Sequence, residues 1–417
     1  MVCGCDDNCD TKQTLMPVDQ ALEQLLENAV PPNETEIIDL IEANGRILAE
    51  NICSTINVPP ADNSAMDGYA VRSADFSNAE KQSLPISQRI CAGEVGTPLK
   101  ANSVARIFTG ASIPTGADAV IMQEHCEVEG NYMISNGPIS AGTNLRKAGE
   151  DIAIGDTILK IGDQLKPQDL GLAASVGISK LKVYRRLRVG LFFTGDELRE
   201  PGTKLNAGQI YNSNRYTLRG LLNNLNCDII DLGIVKDTLE ATREAMQEAA
   251  EKSDLVMTSG GVSVGEEDYV RIALEELGQL DFWRINIKPG KPLAFGKIGN
   301  TPFLGMPGNP VSVFVTFCVF AQPYIKKKSG ATDILPNSFR VTAGFEWKKK
   351  GYRCEYLRAR VEQNASGQSC ITLFPHQGSG VLTSTSWANG LAIIPPNTII
   401  NKGNKIEFIP FSEMAVY

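Results

Sequence analysis

The stretch from 255 to 269 constrains the fold most. The apolar run Leu255-Val256-Met257 is short enough to be a strand buried on both faces. Ahead of it, Leu239, Thr242, Met246 and Ala249 recur at i, i+3, i+7 and i+10 and so share one helix face. After it the chain opens into Thr258-Ser259-Gly260-Gly261-Val262-Ser263-Val264-Gly265-Glu266-Glu267-Asp268-Tyr269. A helix feeding a buried strand that breaks into Gly-Gly is half of an α/β unit. Glycine lets the backbone turn tightly, and successive exposed N–H groups form a concavity for anions such as phosphate. The acidic end, Glu266-Glu267-Asp268, repels such an anion unless a cation lies between them. The loop therefore reads either as a metal-bridged phosphate or oxyanion site, or as a plain βα turn with a solvated acidic helix start.

The same alternation runs from Arg188 to about Gly330. Strand candidates are 189–193, 228–232, 255–257, 282–287 and 302–304. Between the first two, Leu218, Leu221, Leu222 and Leu225 mark a helix at i, i+3, i+4 and i+7. This pattern predicts a three-layer α/β domain around a parallel sheet. In open α/β sheets, ligands bind beyond the carboxyl ends of the strands. The five ends lead into Thr194-Gly195-Asp196-Glu197, Gly233-Ile234-Val235-Lys236-Asp237, the Gly-Gly loop, Lys288-Pro289-Gly290-Lys291-Pro292 and Gly305-Met306-Pro307-Gly308-Asn309-Pro310. One edge thus gathers Glu197, Asp237 and Asp268 with Lys288, Lys291 and three Gly-rich loops. Carboxylate oxygens suit Mg²⁺, and ammonium groups suit the phosphate it bridges. Any one of these loops alone reads as a surface turn; five agreeing strand ends argue for a site.

The flanks differ in texture. Val18, Leu22, Leu25, Leu26 and Ala29 give a helix that Pro31-Pro32 ends. Alternation over 37–41 leads into a short helix expected over 46–50. From Val58 to about Asp151 the chain is punctuated by Gly and Pro, as a mostly β module would be. A helix is expected over 168–176, just after Pro167. Past Gly330, strands are expected over 339–345, 355–362, 370–374, 391–394 and 405–409, with a hairpin turn at Asn364-Ala365-Ser366-Gly367. They predict a small C-terminal barrel or sandwich. Polar clusters at 62–72, at Phe108-Thr109-Gly110-Ala111 and at Arg146-Lys147-Ala148-Gly149-Glu150-Asp151 read as site loops or as tight surface turns.

Composition excludes several classes. Apolar residues make up 42% and charged residues 21%, and no apolar run reaches membrane-span length. The net charge of −8 argues against a general nucleic-acid or membrane-surface role. No secretory signal is visible, so a reduced, cytoplasmic chain is expected for its ten cysteines. Cys3, Cys5 and Cys9 cluster in an acidic segment that reads as a disordered tail or a soft-metal site. With two histidines, His125 and His376, a histidine-based mechanism has little to work with. No Walker A pattern, GxGxxG fingerprint or CxxC pair occurs.

Four motifs occur in one order: Asp62-Asn63-Ser64-Ala65-Met66-Asp67-Gly68-Tyr69-Ala70, Thr194-Gly195-Asp196-Glu197-Leu198, Ser259-Gly260-Gly261-Val262-Ser263 and Pro307-Gly308-Asn309-Pro310. That set resembles the molybdopterin molybdenumtransferase family, bacterial relatives of the gephyrin E domain, from about Met16 to the C-terminus. The resemblance implies Mg²⁺-dependent insertion of molybdate into adenylylated molybdopterin with release of AMP. It implies a homodimer with the active site between subunits, and handover from a molybdopterin adenylyltransferase partner. It implies a tail at 1–15 and a discontinuous domain of 16–57 with 152–186. A β-rich lid at 58–151, an α/β molybdopterin-binding domain at 187–332 and a C-terminal β-barrel at 333–417 complete the division.

By position, the family's functional acids correspond to Asp62, Asp151, Glu197, Asp237 and Asp268, of which Glu197, Asp237 and Asp268 are expected at the metal. Thr109 corresponds to a lid hydroxyl. Lys288 and Lys291 correspond to anion-contacting lysines, and Arg358 and Ser379 to polar barrel positions. Ser259, Gly260, Gly261, Ser263, Pro307, Gly308, Asn309 and Pro310 form the expected cofactor loops. Three departures are visible: Asn212 for the usual Asp, Met306 for Leu and Phe108 for Met. An adenylyltransferase would share the α/β domain without the lid motif and barrel. A scaffold would not need the acid set with both lysines.

Overall fold

The computed structural model describes residues 15–76, 81–261, 269–363 and 367–414. Its centre is a six-stranded sheet. The strands are β1 (Arg188–Thr194), β2 (Asp228–Val235), β3 (Leu255–Ser259), β4 (Gly278–Arg284), β5 (Pro292–Ile298) and β6 (Thr301–Met306), in the order β2-β1-β3-β6-β5-β4. The first four in that order are parallel, and β5 is antiparallel to both its neighbours. The expected all-parallel sheet is thus a mixed one. Its reason is a strand that alternation did not reveal: β5 turns back at Gly299, which adopts φ +57°, and pairs Ile298 with Thr301. Because β4 and β6 both run antiparallel to β5, the end of β4 still lies at the carboxyl edge of the parallel strands.

Helices cover both faces. On one side α1 (Ser213–Asn224) and α4 (Pro310–Thr316) pack Leu218, Leu221, Leu222, Val311 and Val315 against Val189, Leu191 and Phe193. On the other, α2 (Leu239–Lys252) and α3 (Tyr269–Leu277) pack Met246, Ala249, Val270 and Leu274 against Phe192 and Val256. Alternate residues of β1 therefore feed opposite cores, as the two-residue period of a strand requires. Each fully buried Leu or Phe here contributes about 1.5–3 kcal/mol. Gly190 permits the close approach of α2: a Cβ there would meet the Ala249 Cβ at 3.0 Å.

The remaining sheets frame this core. Thr35–Asp39 pairs antiparallel with Lys180–Tyr184, and Ile52–Cys53 with Thr157–Leu159. A six-stranded sheet forms between Gly68–Val71 and Tyr132–Ser135. In the C-terminal region five strands close on themselves, because Cys354–Gln363 pairs with both Ser369–Leu373 and Gly390–Ile394. This is the barrel form of the two expected alternatives. The short strand Ile287–Lys288 leaves the central sheet and joins Cys354–Gln363 in parallel.

Three local expectations change. Residues 46–50 form no helix: Ile47 bridges Gln164 and Leu48 bridges Val183. The buried Arg46 guanidinium, held by Glu36 and the Tyr184 carbonyl, ties this segment to its neighbour strand instead. The expected strand 282–287 is split, since the chain leaves β4 at Arg284. A short helix, Thr383–Trp387, appears where none was expected. The turn residues Asn364, Ala365 and Ser366, the Cys3/Cys5/Cys9 cluster and the acidic run 266–268 lie outside the described residues.

Candidate active site

A cavity of about 910 Å³ opens at the carboxyl edge of the central sheet, against the barrel. Its wall includes Thr194 and Glu197 after β1, Ser259 and Gly260 after β3, Lys288 and Lys291 after β4, and Pro307, Gly308, Asn309 and Pro310 after β6. The barrel side supplies Ser379. Most of the residues expected at one strand edge thus meet around one volume. Ligand cavities are commonly of this size.

The loops need glycine for stated reasons. Gly260 adopts φ +99°, and a Cβ there would stand 2.9 Å from the Thr194 carbonyl oxygen. Gly261 adopts φ +64°, and its Cβ would stand 2.7 Å from Val270 Cγ2. L-residues with side chains rarely adopt either φ. The backbone therefore approaches β1 and α3 closely, and the turn out of β3 stays tight.

Three basic groups face the cavity: Lys288, Lys291 and Arg353. Lys288 Nζ lies 3.5 Å from Glu355, a carboxylate buried in the neighbouring barrel strand. The parallel pairing of Lys288 with Glu355 sets this register. Arg358, the expected barrel contact, does not line the cavity. It is fully buried, and burial pushes its guanidinium down to about 10. It donates to the Ser384 hydroxyl and to the Tyr356 and Gly378 carbonyls. Arg358 thereby braces the loop that presents Ser379, while Arg353, five positions earlier, takes the cavity-facing place. Arg358 stands within the strand Cys354–Gln363, between Leu357 and Ala359.

Several polar atoms at the cavity are buried without a partner among the described residues: Thr194 Oγ1, Asn212 Nδ2 and Asn214 Oδ1. Asn212 shows what its departure from Asp means here. It is 2% exposed, and its Oδ1 accepts from the Arg215 N–H as the N-cap of α1. A side-chain oxygen suffices for that cap, so Asn keeps it. Its other atom is an N–H donor, which a cation does not take as a ligand. Of the other departures, Met306 is buried at the end of β6, and Phe108 packs against the Arg89 and Arg106 guanidinium groups at 4.9 and 4.6 Å.

The polar residues of the β-rich region do not reach this cavity. Asp62 accepts from Lys147 Nζ at 2.8 Å and from the Ala148 N–H at 2.9 Å. The Lys147 hydrogen bond holds its carboxyl below the ordinary value. Thr109 donates both its N–H and its hydroxyl to Asp67, and these bonds lower the Asp67 carboxyl. Sequence reasoning did not single out this Asp67 partner; only the fold brings 67 to 109. Asp151 is exposed, with its N–H bonded to the Val58 carbonyl.

Asp237 follows β2 at the same edge of the sheet and does not line the cavity. Ser263 and Asp268 lie outside the described residues. Among the described residues no three His, Cys, Asp or Glu side chains gather as a metal-binding group. Glu197 is the carboxylate that lines the cavity among them. No helix among the described residues is long and apolar enough to cross a membrane.

Residues 16–177 match the MoeA N-terminal region (domain I and II), 190–327 a probable molybdopterin binding domain and 340–411 the MoeA C-terminal region (domain IV). A molybdopterin molybdenumtransferase of Haemophilus influenzae is 42% identical over 96% of this chain and 100% of its own length. One from Nostoc is 37% identical over 94% of this chain and 93% of its own. The crystal structure of a Pyrococcus horikoshii molybdopterin biosynthesis protein, MoeA, superposes with a TM-score of 0.84 at 30% identity, covering 95% of this chain and all of that one. Matched from end to end by sequence and by fold, the chain belongs to the MoeA family of molybdopterin molybdenumtransferases.

Proposed function

We propose that the cavity holds molybdopterin and that the chain inserts molybdenum into it, a transferase step of molybdenum cofactor synthesis. The substrates are molybdate and adenylylated molybdopterin, and AMP is released. One observation carries this reading: Glu197, Lys288 and Lys291, from the region matched by the molybdopterin binding domain, converge on one cavity with Arg353 from the region matched by the C-terminal domain. Three cations suit a ligand with several anionic oxygens.

The donor set fits Mg²⁺, which binds through one or two carboxylates plus substrate phosphates and keeps several waters. Glu197 would hold it; Asp237, which does not line the cavity, and Asp268 are the further acids proposed for it from the neighbouring strand ends. When bound, Mg²⁺ supplies Lewis-acid polarisation at the pyrophosphate. The chain's own residues do the rest. The Gly260 loop shapes the wall beside the anion, its Gly260 N–H being held by the Met306 carbonyl at 3.3 Å. Lys288 and Lys291 neutralise phosphate or molybdate charge, and Arg353 adds a planar fork. Ser379 orients the ligand from the barrel side. A water or molybdate oxygen attacks the pyrophosphate phosphorus and AMP leaves; molybdate then bonds the two dithiolene sulfurs of the pterin as one of its oxygens departs as water with the two thiol protons.

Asp62, Thr109 and Asp151 stand away from the cavity of their own chain, which supports a homodimer in which a second copy brings them near. The same reading takes 58–151 as a lid, 16–57 with 152–186 as one discontinuous domain, 187–332 as the pterin-binding domain and 333–417 as the barrel. It takes the cytoplasm as the place of action and a molybdopterin adenylyltransferase as the supplying partner.

The test follows AMP and cofactor-bound molybdenum together, from adenylylated molybdopterin with Mg²⁺ and molybdate each present or omitted. Both products should rise only with the complete mixture. Binding without turnover in the complete mixture would leave a carrier or scaffold, and the reading would fail.

A further inference from the structure

Asn214 is the second residue of α1, and its amide spans the floor of the cavity. Its Nδ2 donates to Ser259 Oγ at 2.9 Å and to the Gly308 carbonyl at 2.7 Å. Both partners are acceptors here. The Gly308 carbonyl has no proton, and the Ser259 hydroxyl spends its own on the Pro307 carbonyl at 2.9 Å. The amide NH₂ therefore has to face them, and the orientation of the side chain is fixed by chemistry. Oδ1 is the atom left buried without a partner among the described residues.

The position explains why such a tie is needed. The β3–β6 ladder ends at Ser259 and Met306. Beyond it, among the described residues, the Gly260 loop and the loop 307–310 are joined directly by two bonds, Gly260 N–H to Met306 O at 3.3 Å and Ser259 Oγ to Pro307 O at 2.9 Å. These two loops face the cavity from adjacent strands. Asn214 extends their pairing by one more rung and anchors it to the start of α1.

We propose that Asn214 is a positioning residue for molybdopterin: it fixes the spacing of the Gly260 loop and the 307–310 loop, and so sets how tightly the cavity takes the pterin. This rests on the reading of the cavity as the pterin site.

The experiment uses the full chain as wild type, Asn214→Asp and Asn214→Ala, with molybdopterin as the probe. It follows Kd across pH, the split between KM and kcat, and hydrogen exchange of the amides at 259–261. Asn214→Asp replaces a double donor by a carboxylate that faces two acceptors. At about pH 8 its affinity should fall by about tenfold relative to wild type, the loss of one part-buried and one exposed hydrogen bond. Towards about pH 5 the deficit should shrink, because burial and the facing oxygens raise the new carboxyl's pKa and its protonated form donates to Gly308 O. Asn214→Ala should be weak at every pH. In both variants KM should rise while kcat at saturation stays within about twofold, as loss of uniform binding predicts. A general folding defect would show no such pH-dependent recovery. An Asn214→Asp affinity within twofold of wild type at pH 8, or a deficit constant with pH, overturns the proposal. If wild type binds no molybdopterin, the functional reading fails and exchange still decides: faster exchange at 259–261 in Asn214→Ala supports the tie, and unchanged exchange overturns it.

Discussion

The central cavity and the β-rich region with its flanking loops, residues 62–148, hold their acidic and polar side chains differently. In the β-rich region the acids are satisfied by their own chain: Asp62 by Lys147 and Ala148, Asp67 by Thr109 twice. Around the cavity, buried polar atoms of Thr194, Asn212 and Asn214 have no partner among the described residues. A buried, unpaired polar atom costs about 1–3 kcal/mol. Folding tolerates that cost where a ligand later supplies the missing bonds. Three such atoms gather at the cavity, whereas in the β-rich region the acids are paired within their own loops and Asn63 Oδ1 is the buried polar atom without a partner among the described residues.

The largest test of this contrast is Glu197→Gln. It removes the charge that faces the cavity and should lower turnover on the order of 10³-fold, since a metal-held charge is worth several kcal/mol in the transition state. Thermal unfolding should not change, because Glu197 is exposed. Full turnover in this variant would break the account of the cavity.

Next is Arg358→Met, which leaves Ser384 and the Tyr356 and Gly378 carbonyls short of a buried donor. Urea unfolding should show a loss of about 3 kcal/mol. Arg353→Met should instead cost less stability than Arg358→Met and weaken ligand binding. The pair sharpens the distinction between a brace and a contact.

Gly260→Ala should follow. The φ of +99° and the 2.9 Å approach to the Thr194 carbonyl oxygen cannot both survive a Cβ. Calorimetry should show about 2 kcal/mol of destabilisation, typical of a side chain forced into a sparsely populated backbone region, together with loss of molybdopterin binding.

Asp254 gives a smaller, pH-dependent effect. Burial raises its carboxyl, and hydrogen bonds from Arg185 and Arg188 more than offset this, so that it lies well below 3.8 when folded. A depressed folded value gives stability that is present above the unfolded value and lost as pH falls through the folded one. Unfolding midpoints should therefore drop below about pH 4, by on the order of 1.5 kcal/mol. Asp254→Asn should flatten that acid limb.

The smallest change is Asp62→Asn. Its carboxyl is also held down, but the Lys147 pair is exposed, with 41% of the Asp62 side chain open to solvent. Such exposed pairs are worth about 0.2–1 kcal/mol. A loss above 2 kcal/mol would mean that this region is not the self-contained surface described here.

Much of the fold was legible because α/β units write themselves in two periods. Leu218, Leu221 and Leu222 and the buried run 255–257 lie where periodicity put them. The strand-end rule brought Glu197, Lys288, Lys291 and 307–310 together despite a misjudged strand direction, since β4 still ends at the right edge. What escaped depends on contacts between distant segments. Arg353 and Arg358 share a strand region, and only the barrel's closure decides which one turns inward. Asn214 reads as an ordinary first-turn residue, and its role comes from two loops 45 and 94 positions away. Residues 46–50 have helix-compatible composition, but the tertiary bridges to Gln164 and Val183 override it.

The most direct measurement is a crystal structure of the full chain with molybdopterin bound. The account predicts the pterin within the cavity bordered by Glu197, Asn214, Lys288 and Ser379, with its phosphate against the Gly260 loop or the lysines. Pterin density bound elsewhere, with this cavity filled only by solvent, would contradict it.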